Sequence, residues 1–407
     1  MRLWIAGGGT GGHVYPACSV VEALAPAPGA SPDGAAGRLE VRWIGSRGGV
    51  EEDLVRRAGL PFDAISAGGL HGLGPLRAAW NALKLAAGVV RAAGMARAFK
   101  PHALLVTGGF VSVPAALACW LRRTPILVVL PDVEPGLAVK FVSRLATRVA
   151  VSVDESLQFF PKGPHKTIVT GYPIRPGLAR ATRADAIRRF GLEPGRKTLL
   201  VFGGSKGARS LNRATASILD TLLARYQVIH ISGPTDAAEA RARREALPDE
   251  MKGRYHLFEY LHDPAERGVL SAAPSPSLRS GSGLRLPASA SSSDMGLALA
   301  AADLVVSRAG ASTLGEFPLF GLASILVPYP HAWRYQKVNA DYLASRGAAI
   351  RLEDEDLMRD LLPAIERLMN GDAERQRMQA CARALARPQA AAHAAAVLAE
   401  LSGATRA

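Results

Sequence analysis

The apolar positions of this chain fall in short continuous runs separated by glycine-bearing turns and amphipathic stretches. LWIA (3–6), VRWIG (41–45), ALLVT (103–107), PILVVL (125–130) and RVAVS (148–152) read as strands in the first half. TLLVFGG (198–204), QVIHISG (227–233), HLFEYL (256–261), DLVV (303–306) and SILVPY (324–329) repeat the pattern in the second half. Unbroken apolar runs of this length suit strands covered on both faces. Helical stretches alternate with them: residues 15–24, GVEEDLVRRAG (49–59) with its closing glycine, and an Ala-rich C-terminus. Strand–helix alternation with short turns predicts doubly wound parallel sheets. Residues 104–121 are nearly all apolar, but Gly108, Gly109 and Pro114 break the run, so it reads as strand–turn–helix and not as a membrane span.

TGYPIRPG (170–177) ends the first β–α series, because each proline biases the residue before it to extended backbone. The expected organisation is α/β, with one domain over 1–176 and a second over 177–407. Their ligand would lie in a cleft between them. Residues 264–293, rich in Ser, Ala and Pro, read as a flexible insertion, and residues 26–37 as a surface loop.

Chemistry enters at the strand ends. GGGTGGH (7–13) stands between the first strand and the first helix, where glycines let a phosphate or sugar approach the backbone. His13 would face the cleft as a general base or as a polar cap. GGFVSVP (108–114) and GGSKGAR (203–209) are further glycine turns of the same kind. The stretch 303–340 organises the second half. Ser312 and Thr313 stand where a helix should start, an N-cap signal and a phosphate-binding end, with Glu316 placed to accept two hydrogen bonds from a diol such as ribose. The strand SILVPY then leads into a polar segment with His331, Arg334, Gln336 and Asn339.

Composition narrows the classes. The chain has 407 residues, 48% hydrophobic and 21% charged, and a net charge of +14 with a pI near 10.1. That charge suits nucleic acid, an anionic membrane or phosphorylated substrates. The basic residues are scattered, and aromatics, at 6%, do not interleave with them, which disfavours nucleic acid. Cys18, Cys119 and Cys381 lie far apart without a CxxC, as in a reducing compartment and not a zinc site. No signal peptide is read, since only LWIA follows Met1 and Arg2 before the glycines.

The ordered set GGTGGH, GGFVSVP, TGYPIR, GGSKGAR, SRAGASTLGE and PYPHAWRYQKVNA resembles the MurG family, glycosyltransferases of peptidoglycan synthesis. The resemblance covers nearly the whole chain outside the two low-complexity insertions. It implies a GT-B fold of two Rossmann-like domains, with UDP-N-acetylglucosamine as donor, lipid I as acceptor and inversion at the sugar C1. It implies no cofactor and no metal. Within it, Thr10, Gly11 and Gly12 match the loop facing donor sugar and acceptor pyrophosphate, and His13 the proposed base. Arg175 and Ser205 match donor-site positions. Ala311, Ser312, Thr313, Leu314, Gly315 and Glu316 match the phosphate-binding helix start and ribose carboxylate. Gln336 and Asn339 fall where donor-sugar hydroxyls are contacted, and Leu261 where an apolar residue meets uracil. Asp132 departs from the family, placing a carboxylate where an amide is usual near the acceptor.

The resemblance also implies a peripheral enzyme on the cytoplasmic face of the cell membrane. Leu76, Trp80, Leu83 and Val90 share one helical face, with Arg77, Lys84 and Arg91 beside it, which suits docking on anionic lipid. An Asp-x-Asp pattern within residues 353–356 reads as an acidic helix start. Two other readings share the donor half: a UDP-N-acetylglucosamine epimerase and a non-catalytic nucleotide-sugar binding protein.

Overall fold

The computed structural model describes residues 1–9, 11–25, 39–65, 75–160, 166–204, 207–261, 293–331 and 334–403, side chains at 50 and 75–83 excepted. The chain divides into two compact units, with the boundary between Arg175 and Pro176.

In the first unit, β1 (Arg2–Gly7), β2 (Glu40–Ser46), β3 (Phe62–Ile65), β4 (Ala103–Gly108), β5 (Ile126–Leu130), β6 (Arg148–Val151) and β7 (Thr167–Val169) form one parallel sheet. Its order is β3-β2-β1-β4-β5-β6-β7. Both faces are covered, which is why these strands read as unbroken apolar runs. Ala92, Ala96, Ala116, Cys119 and Val142, on the helices Pro75–Phe99, Ser112–Leu121 and Leu137–Leu145, pack on one face with Trp4, Leu104 and Val128. Val14, Val21 and Val55, on the helices Gly11–Leu24 and Val50–Arg57, pack on the other with Leu3, Ile5 and Leu127.

The C-terminal helix Ala390–Leu401 joins that second face through Ala394, Ala395 and Leu398. The first unit therefore takes back the chain from Gln389, whereas the sequence assigns all of 177–407 to one domain. A helix of small residues lies flat against strands, and nothing local in its sequence says against which sheet.

In the second unit, β8 (Thr198–Phe202), β9 (Gln227–Ile231), β10 (Tyr255–Phe258), β11 (Leu304–Ser307), β12 (Ser324–Leu326) and β13 (Ala349–Arg351) form another parallel sheet. Its order is β10-β9-β8-β11-β12-β13. Each sheet reverses its winding once, between β1 and β4 and between β8 and β11. Ligands of open α/β sheets bind at such switch points, beyond the carboxyl ends of the strands. All four strands at the two switch points end in turns the sequence marks: GGGTGGH after β1, GGFVSVP after β4, GGSKGAR after β8 and SRAG after β11. The expected insertion lies outside the described residues except for Ser293, whose hydroxyl accepts the Gly296 N–H and caps the helix Asp294–Ala301.

Candidate functional site

Each unit brings candidate residues to its own two strand ends, and in the first unit His13 stands at their centre. Its Nδ1 lies 2.8 Å from the Gly8 carbonyl oxygen. A carbonyl can only accept, so Nδ1 carries a proton, and in the neutral ring Nε2 then holds the lone pair. The imidazole rests on Gly108, where a Cβ would fall 2.7 Å from Nε2, and Gly108 has φ +138°. Gly109, at φ +84°, would drive a Cβ to 2.7 Å from the Gly8 oxygen. The two glycine turns thus touch each other, and only glycine fits the contact. One turn along the first helix, the Arg175 guanidinium lies over the Tyr15 ring at 4.5 Å, a cation–π contact.

Behind the loop sits a carboxylate that sequence reasoning passed over. Glu51 is 1% exposed. Its Oε2 accepts the Gly9 N–H at 3.0 Å and its Oε1 the Ser46 N–H at 2.9 Å. In sequence it is one of three consecutive acidic residues at a helix start. Only the fold separates it from half-buried Glu52 and exposed Asp53.

Asp132 is half-buried just past β5, next to Val133 and Glu134. Glu134 is itself buried, and its Oε1 meets Lys140 Nζ at 3.5 Å.

In the second unit the helix expected to start at Ser312 and Thr313 does not start there. Ala311–Leu314 is a 3-10 turn, and the α-helix is Glu316–Phe320. Thr313 Oγ1 donates to the Gly310 carbonyl at 2.7 Å, so its hydroxyl closes the turn instead of accepting at an N-cap. Pro318, with no N–H to give, and Gly321, at φ +61°, confine the helix to that one turn. Glu316 opens it and is buried at 7% exposure. Gln336 is half-buried, and its Oε1 accepts the Tyr329 N–H at 2.8 Å, which turns the amide NH₂ the other way. Asn339 is fully buried and donates to the Ala309 carbonyl at 3.2 Å, bracing the SRAG turn from below. Leu261 is buried just after β10. Thr10 and Ser205 lie outside the described residues.

The glycine turn after β8 rests on a buried polar chain. Tyr255 OH and His230 Nδ1 are 2.7 Å apart, and His230 Nε2 and Asn212 Oδ1 3.0 Å. Asn212 Nδ2 donates to Ser232 O and to Asp236 Oδ2, at 2.8 and 2.7 Å, and Arg209 Nε to Asp236 Oδ1 at 3.1 Å. Asn212 Oδ1 must accept, so His230 is the neutral Nε2–H tautomer and takes the Tyr255 proton at Nδ1. Burial pushes His230 down to about 4, against a small opposing pull from Asp236, and pushes the Tyr255 phenol up. A Cβ at Gly207 would lie 2.7 Å from the same Ser232 oxygen, which ties the turn to this chain. The acidic stretch 353–356 is likewise structural: Asp354 pairs with buried Arg308 and accepts from Ser210.

A family model described as the glycosyltransferase family 28 N-terminal domain matches residues 3–151. One described as the glycosyltransferase family 28 C-terminal domain matches residues 198–267 and 279–396. A Roseiflexus sp. (strain RS-1) relative is 43% identical, over 96% of this chain and 93% of its own. It is named UDP-N-acetylglucosamine–N-acetylmuramyl-(pentapeptide) pyrophosphoryl-undecaprenol N-acetylglucosamine transferase. The same name belongs to a Desulforamulus reducens relative that is 32% identical over 96% of each chain. The chain belongs to the MurG family of glycosyltransferase family 28.

The crystal structure of Acinetobacter baumannii MurG matches 98% of this chain and 99% of its own at a TM-score of 0.69 and 24% identity. The two parallel sheets are the Rossmann-like pair of the GT-B fold. A Neisseria meningitidis UDP-GlcNAc 2-epimerase bound to UDP-GlcNAc matches 98% of this chain and 99% of its own, at a TM-score of 0.58 and 11% identity. That is a likeness of fold alone, so the epimerase reading gains no support from sequence. For a MurG-family chain, the residues the sequence failed to single out are Glu51, Tyr15, His230 and Asn212. The only sequence signal near Glu51 was the acidic first turn after a glycine-flanked turn, which it shares with Glu52 and Asp53.

Proposed function

We propose that this protein transfers N-acetylglucosamine from UDP-N-acetylglucosamine to the C4 hydroxyl of the N-acetylmuramyl sugar of lipid I, with inversion, giving lipid II and UDP. The observation that carries the mechanism is the His13 tautomer, with Nδ1–H held by the Gly8 carbonyl and Nε2 able to take a proton. The acceptor oxygen attacks C1 as its proton passes to Nε2, and the C1–O bond to UDP breaks with the electron pair leaving on the diphosphate. A base of this kind is worth about 10²–10⁴-fold.

In this reading the first domain takes the acceptor and the second the donor. Glu316 accepts the ribose hydroxyls. Gln336, its oxygen turned to the Tyr329 N–H, directs its N–H donors to the sugar hydroxyls. The turn Ala311–Leu314 takes the diphosphate, and Leu261 meets uracil; the assignments of Ser205 and Arg175 to the donor rest on the family resemblance. Asn339 serves by holding the SRAG turn. Labelled UDP-N-acetylglucosamine with and without lipid I is the test. Sugar must appear on lipid only when lipid I is present. Epimerised nucleotide sugar, or binding without turnover, would support the two rival readings.

A lipid-linked acceptor requires the enzyme to reach the membrane, and we place it peripherally on the cytoplasmic face. Among the described residues no helix is long and apolar enough to cross a bilayer. Val90 is 75% exposed, Trp120 51% and Leu121 65%. They stand on two helices that pack side by side on one face of the first sheet. Exposed Lys84, Arg91, Arg122 and Arg123 lie on or just after the same helices. Exposed apolar side chains on two adjacent helices that also carry cations suit an anionic bilayer, each cation adding about 1 kcal/mol. The side chains of Leu76, Arg77, Trp80 and Leu83 lie outside those described.

A further inference from the structure

The glycine loop after β1 is gripped at one peptide group from both sides. Glu51 Oε2 accepts the Gly9 N–H at 3.0 Å. The carbonyl of that same peptide, Gly8 O, accepts the His13 Nδ1–H at 2.8 Å. A carboxylate, an amide and an imidazole therefore form one hydrogen-bonded line. We propose that Glu51 is the carboxylate partner of His13, acting on the imidazole through the Gly8–Gly9 peptide. The inference rests on the reading of His13 as the base.

The physics is that of any hydrogen-bonded chain in a low-dielectric setting. An amide is delocalised, so an anion at its N–H end pushes electron density onto its oxygen. Each bond in such a chain strengthens the next. When Nε2 takes the acceptor's proton, the imidazolium that forms is held at Nδ1 by a carbonyl made more negative by Glu51. The same line fixes the ring's orientation and tautomer. Glu51 is thus a positioning residue that touches no substrate.

The fold is arranged around this carboxylate. A Cβ at Gly8 would lie 2.4 Å from Glu51 Oε1, and one at Gly49 2.4 Å from Oε2. At Gly45 it would lie 3.1 Å from Glu51 Cγ. Gly8 and Gly49, on two loops, leave room for this one buried acidic side chain, and Gly45, inside β2, clears chiefly the Phe62 ring at 2.5 Å. Its second oxygen takes the Ser46 N–H at 2.9 Å, so the carboxylate also ties the end of β2 to the end of β1. It sits in the first turn of the helix Val50–Arg57, where the helix's partial positive charge favours an anion. Besides His13, the ionisable groups that the described contacts bring to this loop are Glu51 and, four residues into the helix Gly11–Leu24, Tyr15 with Arg175 over its ring.

The test compares the full-length chain with His13→Ala, Glu51→Gln and the double variant in lipid I transfer, across pH. Nitrogen-15 NMR of the wild-type imidazole accompanies the kinetics. Expected for Glu51→Gln is a kcat about 10- to 100-fold lower, a loss no larger than the lower end of what a general base contributes, with the KM for UDP-N-acetylglucosamine nearly unchanged. The acidic limb of its kcat profile should move to lower pH, because the imidazolium has lost its distant anion. The double variant should be no slower than His13→Ala alone. A His13→Ala enzyme of near-normal kcat sinks the base reading and the relay with it. A slow His13→Ala enzyme beside a Glu51→Gln enzyme with normal kcat and acidic limb leaves the base standing and overturns the relay. Multiplying losses in the double variant overturn it too, since Glu51 would then act without His13. Should Glu51→Gln not fold, the wild-type NMR decides: a His13 imidazole with its neutral proton on Nε2 refutes the line of hydrogen bonds outright.

Discussion

Acid should weaken the second unit chiefly through one fully buried histidine, His230, with the less buried His256 adding in the same direction. His230 is 1% exposed, and burial brings its folded pKa to about 4. An unfolded histidine titrates near 6.5. The folded pKa is depressed, so the folded state binds the proton less readily than the unfolded one. Its contribution is fully present above about 6.5 and is lost as pH falls from there toward about 4. At about pH 5 the unfolded imidazole is almost wholly charged and the folded one almost wholly neutral, which costs about 2 kcal/mol, approaching about 3 kcal/mol at still lower pH. The structural reason is specific. Nδ1 already accepts from Tyr255 OH, so a second ring proton would meet a donor and leave the hydroxyl without its acceptor. Native-state hydrogen exchange of the β8 and β9 amides, referenced to intrinsic rates at each pH, reads the stability of this unit alone. His230→Gln keeps a donor toward Asn212 but cannot titrate. It should cost about 1–3 kcal/mol at neutral pH, for a buried hydroxyl left unsatisfied, and flatten the acid dependence. Equal losses for wild type and His230→Gln between neutral pH and about pH 5 would refute the assignment.

Three further outcomes follow from the site. Gly108→Ala puts a Cβ 2.7 Å from His13 Nε2 at a φ of +138°, so it should lower kcat by about 10²-fold or more while UDP affinity, by calorimetry, changes little. Glu316→Ala should raise the KM for UDP-N-acetylglucosamine at least about tenfold, two lost hydrogen bonds to a charged group being worth at least 1.4 kcal/mol, with the melting curve nearly intact; an unchanged KM would remove it from the ribose. Changing Arg91, Arg122 and Arg123 to Glu should abolish co-sedimentation with anionic vesicles without affecting transfer to a detergent-solubilised acceptor, and wild-type binding should fall with salt.

Much of the fold was legible because parallel sheets bury both faces of their strands. The runs at Ala103–Gly108 and Ile126–Leu130 announced themselves as strands, and glycine turns marked the ends that meet at the switch points. The strands Phe62–Ile65, Thr167–Val169 and Ala349–Arg351 were missed because they are short and stand at or near sheet edges, where half-exposed positions dilute the apolar signal. Ser312 and Thr313 looked like an N-cap because hydroxyl residues before an apolar run usually are one. A hydroxyl can as well donate backward to a carbonyl, and Thr313 does so to Gly310, which sequence cannot distinguish. The partners of Asn212 and His230 are far apart in the chain and have no local signature at all.

The glycines carry the most instructive difference. From sequence, the loop at residues 7–13 reads as bare backbone cleared for a phosphate or a sugar. In the fold, much of the cleared space is already filled from within: by Thr107 at Gly7, by Glu51 at Gly8, by His13 at Gly108 and by the Gly8 carbonyl at Gly109. A ligand alone would ask only that the loop be open. Two loops meeting at a switch point, with an imidazole and a carboxylate held against one peptide group, ask for glycine at each of these named places. The glycine pattern therefore has a reason that lies one layer below any substrate: it is the imprint of the side chains and backbone packed against these two turns.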